Sequence, residues 1–478
     1  MNPEPARVLS AQGQELLERL AGVEVTPDRA LALSAALREE YPAELVAAAL
    51  TQQALRFAGR AKFSRADEML FTRAGLEQAS SEVTSRHAAR RFAGARVVAD
   101  LCCGIGGNLT ALAAQQPDGE PRHGWRIGVA RGTPMRQRCG VPQAEGSGKG
   151  RETGGGASRG AGDGSLMREA VIGVDSDPVS LEFARHNVSV YAPLARVGYV
   201  CADVRELELG GIDAVFIDPA RRDARGRLPA GRYQPELDWC LGLADRVPAV
   251  GIKAAPGLRR ELVPAGWETE FVAVGRELKE ALLWSPELAG PRSRATVLPS
   301  GATLTSSATL ALSDPPTSPT SQAATAATTL AEPGSASGDA PRAEAVPVAA
   351  PGEFLFDPNP AVTRAGLVTS LARQLGAWQI DPMIAFLSAD KPAMTPFART
   401  LRVIESAPWH EKRFAARLRQ LGIGSADIRR RGLAGDVEQI HHRLGLRGPG
   451  AATIVLTRVS DRPWGLICVP VAEPDDPA

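Results

Sequence analysis

The feature that most constrains the fold is a series of short apolar segments, each followed by a polar or glycine-containing turn. In chain order the segments are ARVVADLCC, AVIGVDSD, VGYVCADV, IDAVFIDPA and VPAVGIKAAPG. Helical stretches such as PVSLEFARHNVSVYA separate several of them. The apolar runs are continuous rather than alternating, which is typical of strands covered on both faces. Strands that alternate with helices predict an α/β fold built on a doubly wound parallel sheet.

The rest of the chain divides around this domain, which we place at residues 93–300. Residues 1–92 are rich in Ala and Leu at helical spacing, which predicts an N-terminal helical region. Residues 353–398 form a connecting α/β segment. Residues 399–474 combine helical segments with a strand, AATIVLTRVS, which predicts a smaller α+β domain.

Two segments lack any apolar period. Residues 117–168 are rich in Gly and Arg, and residues 301–352 are rich in Ala, Ser, Thr and Pro. Both compositions predict disorder, an insertion in the first case and a linker in the second. The insertion interrupts the unit between the first two strands, where a surface loop absorbs extra length at little cost in closure entropy.

Charge gives only local information. The 478 residues include 55 Lys and Arg against 54 Asp and Glu, so the net charge of +1 neither favours nor excludes a nucleic-acid partner. Between residues 399 and 462, however, thirteen basic residues face six acidic ones, a local excess of seven. The C-terminal domain is therefore the part of the chain suited to an anionic partner.

The cysteine pattern and the hydropathy of the chain indicate in which cellular compartment the protein is expected. None of the six cysteines forms a C-x-x-C pair, so the sequence predicts neither a metal site nor a disulfide framework, and a reducing compartment fits best. The N-terminus lacks a signal peptide pattern, and no apolar run approaches the roughly 20 residues that span a bilayer. We expect a cytoplasmic protein without a membrane partner; the sequence does not indicate an oligomeric state.

The glycine turn in VVADLCCGIGGNLTALA narrows the choice of ligand. Its glycines are Gly104, Gly106 and Gly107, and Leu109 stands where a dinucleotide-binding turn has its third glycine. The G-K-[ST] of a phosphate-binding loop is absent. Asp100 at the strand end would repel a pyrophosphate, but it suits a ligand with an ammonium group and no phosphate, such as the methionine end of S-adenosylmethionine. The alternative is a tight strand-to-helix connection that binds nothing.

Three further acids follow the next strands. Asp175 is placed to accept hydrogen bonds from the ribose hydroxyls of an adenosine. Asp203 is placed to accept a hydrogen bond from the amino group of the adenine. Asp218, followed by Pro219, comes after a buried strand. Any one of them could simply cap a helix. Together with Asp100 they line one crevice at the carboxyl ends of the strands, where such folds bind ligands.

The series DLCCGIGG, GVDSDP, CADV and FIDPAR resembles the motifs of class I S-adenosylmethionine-dependent methyltransferases, which have a Rossmann-like sheet. It extends over about residues 96–298 once the insertion is removed. The resemblance implies S-adenosyl-L-methionine as cofactor. The candidate cofactor-binding residues are Asp100, Cys102, Gly104, Gly106, Asn108, Asp175 and Asp203.

A second resemblance covers nearly the whole chain outside the two low-complexity segments. KFSRADEMLFTRAGLEQASS, VGRELKEALLW, FDPNPAVTRAGLV and GPGAATIVLTRV are similar to a bacterial family of methyltransferases that end in a THUMP-like domain. THUMP domains belong to RNA-modifying enzymes, so the resemblance implies rRNA or tRNA as substrate, bound through the basic C-terminal domain. The run Arg429–Arg431 is then a set of phosphate contacts, or alternatively an exposed helix end.

The DPARR segment bears on the acceptor atom. Methyltransferases of exocyclic base nitrogens often carry [D/N]-P-P-[Y/F], whose ring stacks on the flipped base. Here Asp218 and Pro219 are kept, while Ala220 and Arg221 replace the second proline and the ring. RNA C5-uracil methyltransferases, which carry a similar D-P-P-R, also need a cysteine nucleophile, and no cysteine follows a strand suitably. We therefore predict methylation of a base nitrogen in RNA.

The candidate catalytic residues are Asp218, Pro219 and Arg221, with Asp218 accepting a hydrogen bond from the amine and Arg221 stacking on a base or holding a phosphate. Lys253 ends a strand near the crevice and is a weaker candidate for contact with an anionic substrate. The alternatives are a small-molecule or protein methyltransferase, and an inert cofactor-sensing RNA-binding module.

Overall fold

The computed structural model describes residues 5–116, 128–129, 169–220, 222–223, 226–227, 233–306 and 345–471. The chain forms two compact units. The first comprises Met1–Val274 and Lys279–Arg292, and the second comprises Gly275–Leu278 and Ser293–Ala478. Most of the two segments predicted to be disordered lies outside the described residues, and so does Arg221.

Helices precede the sheet of the first unit, where the sequence predicts them. They are α1 (Ala11–Arg19), α2 (Pro27–Leu37), α3 (Ala43–Gly59), α4 (Arg73–Gln78) and α5 (Glu82–Ala89). Ser10 and Thr72 cap α1 and α4 through side-chain oxygens that accept backbone N–H groups, which satisfies donors that a helix start leaves free. Contacts group these helices with the sheet rather than apart from it.

The remaining elements of this unit alternate between strands and helices. The helices are α6 (Gly107–Ala113), α7 (Pro178–Tyr191) and α8 (Leu237–Leu241). The strands are β1 (Val97–Leu101), β2 (Gly128–Val129), β3 (Ala170–Asp175), β4 (Val197–Cys201), β5 (Leu207–Glu208), β6 (Ala214–Ile217), β7 (Arg222–Asp223), β8 (Gly226–Arg227), β9 (Ala249–Ala254), β10 (Glu268–Val274) and β11 (Glu277–Trp284). Short 3₁₀ turns lie at Pro5–Leu9, Arg90–Phe92, Val204–Glu206, Gly242–Asp245 and Arg260–Leu262.

The large strands of the first unit lie in the order β10-β11-β9-β6-β1-β3-β4. β1 is parallel to both β3 and β6, β4 is parallel to β3, and β9 is parallel to β6, whereas β11 is antiparallel to β9. The chain builds outward from β1 on one side and then continues on the other. This reversal creates a switch point between β1 and β6, where open α/β sheets bind ligands.

The central strands are covered on both faces. Every residue of β1, β6 and β9 is buried, and their sequences are VVADL, AVFI and AVGIKA. The continuous apolar runs are therefore explained, and the predicted α/β parallel sheet is confirmed. The exceptions within these runs are Asp100 and Lys253, the charged side chains that two apolar strands carry into the interior.

The second unit holds an antiparallel-rich sheet of order β15-β16-β14-β17-β20-β19-β18 and a hairpin of β12 with β13. The helices are α9 (Pro360–Ala365), α10 (Val368–Leu375), α11 (Glu411–Gln420) and α12 (Val437–Leu444). The strands are β12 (Ser293–Leu298), β13 (Ala302–Thr305), β14 (Phe354–Pro358), β15 (Trp378–Gln379), β16 (Leu387–Ala389), β17 (Ala398–Pro408), β18 (Ile423–Arg430), β19 (Gly450–Val459) and β20 (Arg462–Pro470). Phe414 and Leu418 of α11 and Ile440 and Leu444 of α12 pack with Ile454 in one core.

Three details differ from the sequence-based expectation. The units divide at Arg292 rather than at residue 300. β13 occupies residues assigned to the linker. The interpretation of Arg429–Arg431 as a helix end was wrong, because β18 runs through Arg430 and pairs in parallel with β19. Across the described ranges, no helix has the length and apolar character needed to cross a membrane.

Candidate functional site

Four predicted acids lie at one edge of the sheet in the first unit. Asp100 is the fourth residue of β1 and Asp175 the last of β3. Asp203 comes two residues after β4, and Asp218 directly after β6. Because these strands are parallel neighbours, their carboxyl ends meet. The tertiary structure thus brings together the acids that sequence spacing could only place at separate strand ends.

The turn between β1 and α6 requires its glycines. Gly104 and Gly106 have φ of 54° and 86°, a region that side chains disfavour. A Cβ on Gly106 would lie 3.1 Å from the Cα of Ala184, whereas one on Gly104 would meet nothing within 4 Å. Gly104 therefore borders open space, where a ligand can approach the backbone. Cys102 also has a positive φ, 60°, a strained conformation of the kind that clusters at ligand sites.

Asp175 ties this turn to the next strand. Its Oδ2 accepts the Gly104 N–H at 2.8 Å, and its Oδ1 accepts the Asp177 N–H at 2.9 Å. Burial raises the pKa of the Asp175 carboxyl, although the backbone donors oppose that rise. Each oxygen keeps a further lone pair, so the carboxylate remains able to accept hydroxyl hydrogen bonds.

Asp100 is the least compensated group of the site. It is fully buried, and neither carboxylate oxygen has a hydrogen-bond partner of normal geometry among the described residues. Burial raises the pKa of Asp100 well above its usual value, and the neighbouring Asp218 and Asp175 raise it further. An unpaired buried carboxyl costs stability unless a ligand pairs with it, and three acids favour a cationic ligand.

Two of the predicted cofactor contacts are engaged by protein groups. Arg205 donates to both oxygens of Asp203 and lowers the pKa of that carboxyl. The Oδ1 of the buried Asn108 accepts the Ser85 hydroxyl at 3.0 Å, which links α6 to α5. The roles of Asp203 and Asn108 at a cofactor stay predictions.

Asp218 is paired with a buried lysine. The Nζ of Lys253, at the end of β9 and only 7% exposed, donates to Asp218 Oδ2 at 2.6 Å and to the Gln78 carbonyl at 3.2 Å. Sequence spacing had suggested Lys253 only as a contact for an anionic substrate. Pro219 is buried next to Asp218, and Ala220 forms a backbone bridge with Gln234.

Sequence inspection missed Glu280 and Lys62. Glu280 lies in β11, is 4% exposed, and accepts the Ser80 hydroxyl at 3.2 Å. Lys62 donates to the carbonyls of Leu76, Glu77 and Ala79. A glutamate inside the apolar strand ELKEALLW was the available sign, because a buried acid inside a strand is rare without a partner.

These residues fit S-adenosylmethionine, which carries two positive charges, no phosphate and a ribose. The unpartnered Asp100 suits its ammonium group, the open side of Gly104 admits it close to the backbone, and Asp175 retains lone pairs for ribose hydroxyls. Within the described ranges no group of three or more His, Cys, Asp or Glu is arranged to hold a metal ion.

Comparison with known families gives two matches. Residues 398–470 match the THUMP domain-like family, which corresponds to β17–β20 with α11 and α12. Residues 5–59 match a domain of unknown function, which corresponds to α1–α3. The first match confirms the predicted THUMP-like domain.

Comparison with individual proteins covers most of the chain. A crystal structure from Porphyromonas gingivalis W83, named as a methyltransferase, superposes with a TM-score of 0.63 at 19% identity over 96% of this chain and 99% of that one, which supports the fold. Two sequences named as uncharacterized S-adenosylmethionine-dependent methyltransferases, from Mycobacterium tuberculosis strains CDC 1551 and H37Rv, are each 31% identical over 403 residues, 82% of this chain and 85% of theirs. The chain belongs to the S-adenosylmethionine-dependent methyltransferases that end in a THUMP-like domain.

Proposed function

We propose that this methyltransferase modifies RNA, which it binds through an arginine cluster in the second unit. The arginine cluster consists of Arg276, Arg399, Arg429, Arg430 and Arg431. Its arrangement is the single observation that carries the RNA assignment, because RNA presents phosphates and bases that guanidinium groups recognise.

The cluster is built around two aspartates. Asp357 pairs with Arg276 and Arg431, each at 2.8 Å. Asp427 pairs with Arg399 at 3.0 Å and Arg429 at 2.9 Å. Arg430 donates to the carbonyl of Leu433. Five arginines and two aspartates leave this group with three uncompensated positive charges.

The positive charges of the arginine cluster repel one another. Burial lowers the pKa of the Arg276 guanidinium, and repulsion from Arg429, Arg399 and Arg431 lowers it further against the attraction of Asp357. Such a concentration of like charge is relieved by binding an anion. The excess of positive charge at the cluster therefore supports an anionic ligand.

A cavity of about 320 Å³ opens at the cluster, lined by Asp357, Ile428–Arg431 and Val437. Its volume lies in the range of small-ligand sites and can hold a nucleotide-sized group. Arg429, which is partly exposed, and Arg430, which is exposed, line its wall and can contact phosphate oxygens there. The THUMP domain-like match covers Arg399 and Arg429–Arg431 and adds support, since THUMP domains belong to RNA-modifying enzymes.

The methyl-transfer site is the acidic crevice of the first unit. Asp100, Gly104, Gly106 and Asp175 hold the cofactor there, with Cys102 in the same turn, and Asp218 with Pro219 borders the acceptor. The bound cofactor supplies an electrophilic methyl group. Holding donor and acceptor in line supplies roughly 7–11 kcal/mol of the rate enhancement, so these residues need only bind and orient. A base nitrogen, the acceptor that the sequence predicts, would compete with Lys253 for Asp218.

The test measures RNA binding and methyl incorporation together. Unmodified rRNA and tRNA transcripts are incubated with methyl-labelled S-adenosylmethionine and either wild type, an Arg429→Ala/Arg430→Ala variant, or an Arg413→Ala/Arg419→Ala variant. The control pair lies exposed on α11 and removes the same charge. We expect the first pair alone to weaken RNA binding about tenfold or more, and to reduce the salt slope by about two.

Cofactor affinity should be unchanged in both double variants, since their substitutions lie in the second unit. Equal loss of RNA binding in both pairs would show that the cluster has no special role. Absence of label in any RNA, with label instead in protein or small molecules, would refute the proposal.

A further inference from the structure

The lysine–carboxylate cluster of the first unit consists of Lys62, Asp218, Lys253 and Glu280. Its centre is the 2.6 Å contact from Lys253 Nζ to Asp218 Oδ2. Cofactor binding does not account for this contact, because Asp218 is not among the residues assigned to the cofactor. The contact lies directly after β6, at the switch point of the sheet where the acceptor must approach the cofactor.

Glu280 faces the same lysine. In the antiparallel register of β9 and β11, Lys253 stands opposite Leu282 and Ala254 opposite Ala281. Lys253 and Glu280 therefore project from the same face of the sheet as diagonal neighbours. Burial raises the pKa of Glu280, and the positive charge of Lys253 opposes that rise.

Lys62 brings a second ammonium group to the same place. Its Nζ donates to the carbonyls of Leu76, Glu77 and Ala79, and Lys253 donates to the carbonyl between them, that of Gln78. Burial and the repulsion of Lys253 and Lys279 lower the pKa of Lys62. Two lysine side chains are therefore held at the end of one short helix, close to Asp218.

The acceptor chemistry follows from these contacts. A neutral amine attacks a methyl group through its own lone pair and needs chiefly a hydrogen-bond acceptor. A hydroxyl is a poorer nucleophile and must lose its proton as it attacks, so it requires a base within reach. The charges facing Lys253 are those of Asp218, Glu280, Asp100 and Lys62. Three carboxyls and a second lysine thus surround one amine in a single cluster.

We propose that Lys253 is the general base for methyl transfer to the 2′-hydroxyl of a ribose in RNA, with Asp218 and Glu280 as positioning residues. The proposal rests on the proposed RNA substrate, and it replaces a base nitrogen with a sugar oxygen as acceptor. Apart from its chain ends, the hydroxyls of an RNA backbone are the 2′-hydroxyls.

The step balances with the groups named. The 2′-oxygen forms a bond to the methyl carbon while the bond from that carbon to the sulfonium sulfur breaks, and its electron pair returns to sulfur. The hydroxyl proton passes to the neutral amine of Lys253, which becomes an ammonium ion stabilised by Asp218 and Glu280. Lys253 then releases the proton to solvent.

The DPAR segment lacks the ring that base-methylating enzymes carry, because Arg221 stands at the position of that ring. The residue before it, Ala220, stands in place of the second proline. Its backbone N–H donates to the Gln234 carbonyl at 2.9 Å and its carbonyl accepts the Gln234 N–H at 2.9 Å. The segment DPAR therefore offers a base no aromatic ring, and its third residue is held by backbone hydrogen bonds to Gln234.

The first experiment identifies the product. RNA labelled by the wild-type protein is hydrolysed with alkali, which needs a free 2′-hydroxyl to cleave the chain. Label in alkali-stable dinucleotides is expected, because a 2′-O-methyl group blocks cleavage. Label in mononucleotides would overturn the 2′-hydroxyl assignment and leave the RNA proposal intact. No label in RNA would overturn both.

The second experiment separates a base from a positioning residue. Lys253→Met should lower kcat about 10²- to 10⁴-fold with the cofactor Kd unchanged, and should abolish the rise of kcat with pH expected of the wild type. Lys391→Met, an exposed lysine of the second unit, is the matched control. Lys253→Arg keeps a cation beside Asp218 but cannot accept a proton, so it should not recover activity. Recovery in Lys253→Arg, or an unchanged pH profile in Lys253→Met, would overturn the proposal.

Discussion

Replacing Asp100 with asparagine tests the link between the cost of the buried carboxyl and its use. Asp100 is fully buried in β1, and neither oxygen has a partner of normal geometry among the described residues. Burial first, then Asp218 and Asp175, raise its pKa well above the ordinary value. Asparagine has nearly the same shape and carries no ionisable proton.

The sign of the stability effect follows from this raised pKa. Below the pKa of Asp100 in the unfolded chain, about 3.9, both the folded and the unfolded state hold the proton, so ionisation does not destabilise the wild type. As the pH rises from there towards the folded pKa, the unfolded state ionises first, and the wild type loses about 1.4 kcal/mol per pH unit relative to the variant. Because asparagine also buries a polar group at this site, the difference comes from ionisation alone, and we expect Asp100→Asn to be more stable by about 1.4 kcal/mol for each pH unit from about 3.9 up to the folded pKa.

Cofactor binding should change in the opposite direction. If Asp100 pairs with the ammonium group, its loss removes a charge-assisted hydrogen bond of about 1.5–3 kcal/mol, which corresponds to a Kd about ten- to hundredfold higher. The assay is urea unfolding of the apo protein from pH 4.5 to 8, with calorimetric titration of S-adenosylmethionine. Asp245→Asn, at an exposed site, is the control. An Asp100→Asn variant that is less stable across this range and binds cofactor normally would refute the reasoning.

Two further substitutions test the frame of the site. Gly106→Ala should lower stability in thermal melts by about 1–2 kcal/mol and weaken cofactor binding, because its φ is 86° and the new Cβ would lie 3.1 Å from Ala184. Gly94→Ala, where a Cβ meets nothing within 4 Å, is the control and should change neither stability nor binding. Arg91→Ala should lower the free energy of unfolding in urea by about 3–5 kcal/mol, because it leaves the fully buried Glu268 and Glu270 without their arginine. Arg90→Ala, at an exposed site, is the control and should change this free energy little. Similar losses in both arginine variants would contradict this account.

The sequence by itself determined the sheet and the place of the site. Continuous apolar runs predicted strands that are buried on both faces. The glycines of the DLCCGIGG turn indicated a backbone with positive φ. Both are local properties, since strand burial and turn conformation depend on residues close together in the chain. The acids at the strand ends could be found for the same reason, because parallel strands must bring their carboxyl ends to one edge.

The partners of these acids were decided only by the tertiary structure. Asp218 and Lys253 are 35 residues apart, and Ser80 and Glu280 are 200 apart, so no spacing rule connects them. Asp357 likewise meets Arg276 and Arg431 only through the fold of the second unit. The same cause changed the prediction for Arg429–Arg431, where pairing with β19 outweighed local helical preference. Which charges share a buried space depends on strand order and register, and those are set by long-range packing rather than by the neighbouring sequence.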